Sequence, residues 1–157
     1  MSEESVRAFF AAQAPDVAII DQGVSTATVD EAARALGVIP ARIAKTLSLR
    51  VGDKVALVVA RGDARLNNGK AKATLGAKPR MLGLEEVEGL TGHPVGGVCP
   101  FGLASPLPVY CDISLKDFET VFPAAGSRTT SVELTPERLA ELTGACWIDI
   151  CTLAEEN

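Results

Sequence analysis

The sequence has little of what a metal site, a membrane span or a secreted protein requires. Its 157 residues include one histidine and four cysteines, and no two cysteines have the Cys-x-x-Cys spacing typical of zinc sites. No run of about 18 apolar residues is present, which excludes a transmembrane helix. The N-terminal stretch Met-Ser-Glu-Glu-Ser is acidic and has no apolar core, so we expect no signal peptide. We therefore expect a cytoplasmic protein with free thiols, without metal, cofactor or membrane contact.

Several catalytic motifs are also missing. No Gly-x-Gly-x-x-Gly follows a strand pattern, and no Gly-x-Ser-x-Gly elbow occurs. The segment Gly69-Lys70-Ala71 lacks the Ser/Thr and the leading glycine of a phosphate-binding P-loop. These absences argue against a dinucleotide-binding enzyme, an α/β serine hydrolase and a P-loop nucleotidase.

Charge is distributed unevenly along the chain. The net charge of −5 argues against a broad nucleic-acid groove. Between residues 42 and 80, however, ten Lys/Arg stand against two acids, whereas the remainder carries five Lys/Arg and eighteen acids. This segment is either a run of solvated surface charges or a local basic face for a phosphate-bearing ligand or one nucleic-acid end.

Hydrophobic periodicity predicts an α+β fold. Gly52-Asp53 predicts a two-residue hairpin, and the apolar run Val55–Ala60 predicts a central strand buried on both faces. The length of the chain suits a single domain over residues 1–157. Because strands outnumber helices and many are linked by hairpins, we expect a mixed, largely antiparallel sheet with surrounding helices. Helices are expected at 2–13, behind the capping box at 28–31, at 67–75, at 84–90 and from Pro136, and strands at 16–21, 45–51, 55–60, 109–112, 119–122, 128–134 and 146–150.

Residues 92–102 form a loop of unusual composition, Gly-His-Pro-Val-Gly-Gly-Val-Cys-Pro-Phe-Gly. Its glycines and prolines exclude both a helix and a regular strand interior. Such a loop leaves main-chain N–H groups open to close approach, and a row of these donors can hold a carbonyl oxygen or an oxyanion. The alternative is a buried structural loop between two strands. The presence of His93 and Cys99 among so many glycines makes a functional site worth testing.

Three side chains are candidates for chemistry. Lys45 alternates in phase with Leu47 and Leu49, so we expect its ammonium on the apolar side of the sheet. There it either enters a cavity or reaches along its stem to the sheet rim. Cys99 and His93 would suit a nucleophile and its base. A packed thiol and a histidine that is hydrogen-bonded within its loop are the favoured interpretation.

Three stretches resemble one known family in order and spacing. They are Ile43-Ala44-Lys45-Thr46-Leu47, the loop 92–102, and Ala124-Ala125-Gly126-Ser127. Together they resemble the YbaK/prolyl-tRNA-synthetase-associated domain family, and the resemblance extends from about the first strand to Trp147. Members of that family hydrolyse wrongly charged aminoacyl-tRNA, often tRNA(Pro), or form the equivalent domain of a synthetase. The resemblance implies a single α+β domain around a curved mixed sheet.

The resemblance also implies roles for individual residues. The family's functional lysine falls on Lys45, which would hold a substrate phosphate or polarise the ester carbonyl. The family's substrate loop falls on residues 96–98 and Pro100, whose amides at 96–98 would bind the oxyanion. Many relatives have Ser at the position of Cys99. The residues expected in catalysis are Lys45, Gly97 and Val98, and those expected to bind substrate are Thr46, Gly96, Cys99, Pro100, Phe101, His93 and Gly126.

The expected function is trans-editing, in which the ester bond of mischarged aminoacyl-tRNA of the tRNA(Pro) class is hydrolysed. The expected partners are the 3′ end of the aminoacyl-tRNA and an aminoacyl-tRNA synthetase. A chain this short has no room for a synthetase, so we expect editing to be separate from charging. Two alternatives stay open: a non-catalytic module that binds tRNA or a synthetase, and a thiol hydrolase that depends on Cys99.

Overall fold

The computed structural model describes residues 2–153. The helices are α1 (Ser2–Gln13), α2 (Val29–Leu36), α3 (Asn68–Leu75), α4 (Leu84–Thr91) and α5 (Pro136–Thr143), with 3₁₀ turns at Pro40–Arg42 and Ile113–Asp117. The strands are β1 (Ile20–Asp21), β2 (Ile43–Val51), β3 (Lys54–Arg61), β4 (Arg65–Leu66), β5 (Arg80–Met81), β6 (Val109–Asp112), β7 (Phe122–Pro123), β8 (Thr130–Ser131), β9 (Cys146–Ile148) and β10 (Cys151–Thr152). No helix in this part of the chain is long and apolar enough to cross a bilayer.

A six-stranded mixed sheet forms the centre of the fold. Its strands follow the order β5-β2-β3-β6-β9, and β7 also pairs with β2. Strands β2 and β3 are antiparallel up to the pair Val51↔Lys54, which confirms the predicted hairpin at Gly52-Asp53. Strands β6, β7 and β9 enter by parallel pairing, and the two small sheets β1-β8 and β4-β10 are antiparallel. The predicted α+β class with a mixed sheet is therefore confirmed.

Strand β3 supplies side chains to the cores on both faces of the sheet. Leu57 and Val59 belong to one buried cluster, and Val58 and Ala60 belong to another. The predicted burial of this strand on both faces is confirmed, since all four residues are 0% exposed. Full burial of a Val or Leu side chain stabilises the fold by about 1.5–3 kcal/mol. The first cluster also contains Val6, Phe10, Phe101, Leu115 and Leu139, and the second contains Leu49, Ala71 and Ile150.

Helix α2 begins at the predicted capping box. The Thr28 side chain accepts a hydrogen bond from the Glu31 N–H at 3.1 Å, and Gly37 ends the helix in the left-handed region at φ 71°. A cap of this kind stabilises a helix by about 1 kcal/mol. The buried Ala32 and Ala33 pack the helix against Ile43 and the ring of Phe122. The cap thus fixes the segment that leads into α2 beside strand β2.

Four predicted strands are shorter than expected. The strand predicted at 16–21 is reduced to β1, and the residues of the other three pair with different partners. The chain from 119 to 134 begins as a hairpin, with the bridges Val121↔Leu134 and Ala124↔Ser131. Its two legs stay hydrogen-bonded up to the turn, through Val132 N–H to the Pro123 carbonyl at 3.1 Å and Ala125 N–H to the Thr130 carbonyl at 3.0 Å. On their outer edges, β7 pairs with β2 whereas β8 pairs with β1. The segment 146–150 divides into β9 beside β6 and β10 beside β4. These lengths depend on tertiary pairing rather than on local pattern.

Candidate active site

The site forms where one edge of β2 has no partner strand. The other edge of β2 is paired with β3 along its length. On the site edge, β7 pairs with Ile43–Ala44 and β5 pairs with Leu49–Arg50. Between these pairings, residues 45–48 face no other strand of the described chain. A cavity of about 230 Å³ lies against this gap.

The cavity wall combines residues that are far apart in the sequence. Most of them are apolar, and among residues 2–153 no carboxylate or thiol lines the wall. Such a cavity suits a small ligand that is held by few polar contacts. The lining residues are Thr26–Val29 and Ala32 at the start of α2, Ile43–Thr46 and Ser48 of β2, Met81, Leu82, Leu84 and Val87 of β5 and α4, Val95, Gly96 and Val98 of the glycine-rich loop, and Phe122, Ala124 and Ser131.

Lys45 lines the cavity, and its ammonium points toward Ala64. Its Nζ donates a hydrogen bond to the Ala64 carbonyl oxygen, on the face of β2 that also carries Leu47 and Leu49. Burial lowers the pKa of this ammonium, and Cys151 and then Asp63 act in the opposite direction. No carboxylate of residues 2–153 forms an ion pair with it, so two of its three N–H donors stay available to a ligand.

The opposite face of β2 presents two hydroxyl side chains to the cavity, Thr46 and Ser48. Thr46 Oγ1 is buried and has no hydrogen-bond partner within the described chain. Leaving a buried hydroxyl unpaired costs about 1–3 kcal/mol, so a ligand that pairs with it gains that amount. Three further hydroxyl residues line the wall from outside β2, namely Thr26, Thr28 and Ser131, and Ser131 is 2% exposed.

Ser48 and Ser131 line the cavity but were not among the predicted site residues. A signal for Ser48 was available, because Thr46 and Ser48 alternate with Leu47 and Leu49 and must share the opposite face of the strand. No comparable signal exists for Ser131. Its position depends on the pairing of β8 with β1, which shortens the predicted strand at 128–134.

The glycine-rich loop supplies two main-chain donors to the cavity region. The Gly97 N–H donates to the Pro94 carbonyl at 2.9 Å and closes a turn, so this amide is engaged. Gly96 and Val98 both line the cavity, and their amides form no hydrogen bond within residues 2–153. The expected row of three donors at 96–98 is therefore reduced to two.

Close packing explains why glycine occupies positions 96 and 97. Gly96 has φ 93°, and a Cβ there would lie 2.8 Å from the Ala27 Cβ. A Cβ on Gly97 would lie 2.8 Å from the carbonyl carbon of Ser127. The Arg128 Nε also donates to the Val95 carbonyl at 2.8 Å. The loop is thus held between the start of α2 and the segment 127–128.

His93 is a buried residue of the loop and is 0% exposed. Its Nε2 is 2.7 Å from the Phe101 carbonyl oxygen, and its Nδ1 is 2.7 Å from the Ser2 hydroxyl. Burial lowers the pKa of the imidazole, and the hydrogen bond to Phe101 acts in the opposite direction. The ring therefore connects the loop to the first turn of α1. This arrangement agrees with the favoured interpretation of a loop-bonded histidine.

Cys99 is a packed thiol in the same region. It is 0% exposed, and its Sγ lies 3.6 Å from His93 Nε2 and 3.7 Å from the Phe101 carbonyl oxygen. Burial raises the pKa of the thiol to about 12, so the reactive thiolate is scarce at neutral pH. Within residues 2–153, moreover, no group of three or more His, Cys, Asp or Glu side chains could hold a metal ion.

Five residues that we expected to bind substrate do not line the cavity. Gly126 packs on α1, where a Cβ would lie 2.7 Å from the Ser2 carbonyl oxygen. The other four are buried residues of the loop itself. The five are His93, Cys99, Pro100, Phe101 and Gly126.

The basic segment 42–80 is partly neutralised by ion pairs. Four of its ten cations pair with carboxylates: Arg42 with Glu133, Arg50 with Glu86, Arg61 with Asp63 and Asp117, and Lys70 with Asp149. Part of the segment is therefore a paired, solvated surface, and a basic face for a phosphate-bearing ligand stays a prediction. The cations that are exposed and form no ion pair within the described chain are Lys54, Arg65, Lys72, Lys78 and Arg80.

Known proteins resemble this chain in both sequence and fold. A model of the aminoacyl-tRNA editing domain matches residues 24–142. The chain is 50% identical over 153 residues to the uncharacterised protein YwhH of Bacillus subtilis. The aligned residues cover 96% of this chain and 98% of YwhH. It is 34% identical over 128 residues to EbsC of Enterococcus faecalis, named as a candidate Cys-tRNA(Pro)/Cys-tRNA(Cys) deacylase, with 80% of this chain and 77% of EbsC covered. The crystal structure of a candidate trans-editing enzyme for prolyl-tRNA synthetase superposes with a TM-score of 0.88 at 33% identity, covering 96% of this chain and 97% of that chain.

Proposed function

The chain belongs to the aminoacyl-tRNA editing domain family, and from this premise we propose that it hydrolyses mischarged aminoacyl-tRNA in trans. The observation that carries the proposal is the cavity at the open edge of β2, which Lys45, Gly96 and Val98 all line, and the amides of Gly96 and Val98 form no hydrogen bond within residues 2–153. The substrate class is tRNA(Pro) that carries a wrong amino acid. EbsC is named for Cys-tRNA(Pro) and Cys-tRNA(Cys), and the trans-editing enzyme is named for prolyl-tRNA synthetase; both names support this choice.

The chemistry needs little beyond a positioned water. As the water oxygen bonds to the ester carbonyl carbon, negative charge develops on the carbonyl oxygen, and the amides of Gly96 and Val98 stabilise it. The bond from that carbon to the ribose oxygen then breaks, the ribose oxygen takes up the proton that the attacking water gives off, and the amino acid and the tRNA 3′ end are released. An adjacent ribose hydroxyl of the substrate orients the water. Because an aminoacyl ester is already activated, no protein nucleophile is required.

Charge recognition falls to Lys45 and to the cations beside the cavity. The Lys45 ammonium has no carboxylate partner within residues 2–153 and donates to the Ala64 carbonyl on the Leu47 face. Because Lys45 also lines the cavity, rotation of its flexible stem brings the ammonium to a substrate phosphate or to the ester carbonyl. Arg80, which is exposed, precedes the cavity residue Met81, and Lys78 is exposed two residues earlier. These two cations are placed to contact phosphates of the acceptor stem.

The direct test is a deacylation assay. We expect purified protein to release the amino acid from tRNA(Pro) charged with cysteine or alanine at least tenfold faster than buffer does, and to leave prolyl-tRNA(Pro) nearly intact. Loss of the acid-precipitable amino acid label gives the rate. If no mischarged species is hydrolysed faster than in buffer, the enzyme proposal fails. Formation of a tRNA complex without turnover would instead identify a binding module.

A thiol hydrolase is the second candidate, because Cys99 Sγ lies 3.6 Å from His93 Nε2. The burial of the thiol and its raised pKa argue against it. We expect Cys99→Ser to keep at least half of the wild-type kcat/KM, since the serine hydroxyl can use the Phe101 carbonyl as its acceptor. A kcat/KM at the buffer background, in a variant whose melting temperature is unchanged, would make Cys99 the nucleophile.

A further inference from the structure

We propose that the aminoacyl group binds as a one-residue extension of the central sheet, on the open edge of β2 at Thr46. The α-amine of the substrate donates to the Thr46 carbonyl, and its ester carbonyl accepts from the Thr46 N–H. This inference rests on the proposed function, and it names the part of the substrate that the site recognises.

The direction of the Thr46 main chain follows from its neighbour two residues on. The Leu82 N–H donates to the Ser48 carbonyl at 3.0 Å, so the Ser48 main chain points away from β3 toward β5. Alternate residues of a strand direct their N–H and C=O groups to the same edge. The N–H and C=O of Thr46 therefore point to the open edge as well, and the cavity lies on that edge.

Nothing in the described chain pairs with these two groups. Strand β7 ends its pairing at Ala44, and β5 begins at Leu49. Within residues 2–153, the loops that line the cavity form no hydrogen bond with the main chain or the side chain of Thr46. Folded proteins normally pair or cover the polar edge groups of a strand, so this opening at the centre of a sheet edge points to a ligand.

The length of the gap limits what can fill it. From Ala44 to Leu49 the strand advances about 16 Å at roughly 3.3 Å per residue. The Leu82 N–H already occupies the Ser48 carbonyl, so only residues 45–47 stay open. Of these, Lys45 and Leu47 direct their main-chain groups to β3, and Thr46 directs its N–H and C=O to the open edge, so the edge offers one donor and one acceptor. A single amino acid fits the gap, and the cavity of about 230 Å³ has space for its side chain.

The chemical pattern of the edge matches an aminoacyl ester. An amine and a carbonyl on the same carbon have the donor and acceptor arrangement of one strand residue, which is the pattern used when a peptide adds to a sheet edge. The described cavity wall has no carboxylate, so a main-chain carbonyl is the acceptor that an α-amine meets there. The buried and unpartnered Thr46 Oγ1 places a further polar atom at the same residue.

Substrate analogues test the proposal without changing the protein. Alanyl-tRNA(Pro) is compared with propionyl-tRNA(Pro), and cysteinyl-tRNA(Pro) with 3-mercaptopropionyl-tRNA(Pro), which lack only the amine. Each enzymatic rate constant is divided by the rate constant in buffer, because the amine also activates the ester chemically. We expect this ratio to fall at least tenfold without the amine. Equal ratios would overturn edge binding while leaving deacylation intact, whereas no hydrolysis of either aminoacyl ester would overturn the proposed function itself.

Proline substitution tests the edge from the protein side. Because the Thr46 N–H makes no ladder bond, Thr46→Pro should stay folded and lose activity at least a hundredfold. Thr46→Ala keeps the N–H and should lose less than tenfold. The matched control Leu47→Pro removes an N–H that faces β3, opposite Val58, and should not fold. If Thr46→Pro and Thr46→Ala have equal activity, the proposal is contradicted. If Thr46→Pro does not fold, the comparison of substrate analogues decides alone.

Discussion

Lys45→Ala is expected to lower kcat/KM for deacylation ten- to a hundredfold or more, with little loss of folded protein. The ammonium has no carboxylate partner within residues 2–153, so a phosphate or a developing oxyanion of the substrate is its counter-charge. A charge-assisted hydrogen bond of this kind contributes about 1.5–3 kcal/mol, which corresponds to that change in rate. Deacylation of cysteinyl-tRNA(Pro), followed beside the melting temperature, gives both quantities.

Two cations of the same segment serve as controls. Lys54 is exposed at the end of the β2–β3 hairpin, and Arg50 pairs with Glu86 at the surface. Their alanine variants should have nearly wild-type kcat/KM, because neither side chain lines the cavity. Equal losses in all three variants would indicate a diffuse basic patch, and an unchanged Lys45→Ala would remove this residue from the site.

Stability measurements separate the charge of Lys45 from its packing. Lys45→Met keeps an apolar stem, removes a desolvated charge and leaves the Ala64 carbonyl unpaired, so its melting temperature should stay near wild type while activity falls. Burial lowers the Lys45 pKa, so the folded protein binds this proton less tightly than the unfolded chain does. The wild type should therefore gain stability relative to Lys45→Met as the pH rises through that lowered pKa toward 10.5.

Local signals predicted the parts of the fold that depend on neighbouring residues. Gly52-Asp53 specified its hairpin, Thr28 capped α2, and the run Val55–Ala60 formed a strand buried on both faces. Each of these features needs only a turn chemistry, a side-chain oxygen or a hydrophobic pattern within a few positions. The period-two pattern of β2 likewise placed Lys45 with Leu47 on one face.

The cavity itself could not be predicted in this way. It exists because β7 and β5 pair with opposite ends of one edge of β2, and no local pattern reports where two distant strands stop. The pattern of β2 suggested the Leu47 face as the cavity side, whereas Thr46 and Ser48 lie there in the structure. The turn that engages the Gly97 amide was hidden for a related reason, because it depends on the carbonyl direction of Pro94.

Gly97→Ala is expected to lower kcat/KM at least a hundredfold and to destabilise the protein by about 1–3 kcal/mol. The added Cβ would lie 2.8–2.9 Å from the N, Cα and carbonyl carbon of Ser127, and backbone atoms cannot rotate away as a side chain does. The loop must then move off Ser127 and carry the adjacent amides of Gly96 and Val98 with it. A misplacement of about 1 Å is enough to cost about a hundredfold in rate.

Gly89→Ala is the matched control for this loop variant. Gly89 lies within α4, and a Cβ there meets no atom within 4 Å. Alanine should stabilise the helix by about 0.5–1 kcal/mol and leave deacylation unchanged. If Gly97→Ala instead keeps wild-type kcat/KM despite a lower melting temperature, the amides of this loop do not stabilise the oxyanion. If Gly97→Ala binds substrate normally but has a lower kcat, the amides of Gly96 and Val98 act at the reacting carbonyl. A donor that acts only on the developing oxyanion contributes to kcat and not to ground-state binding.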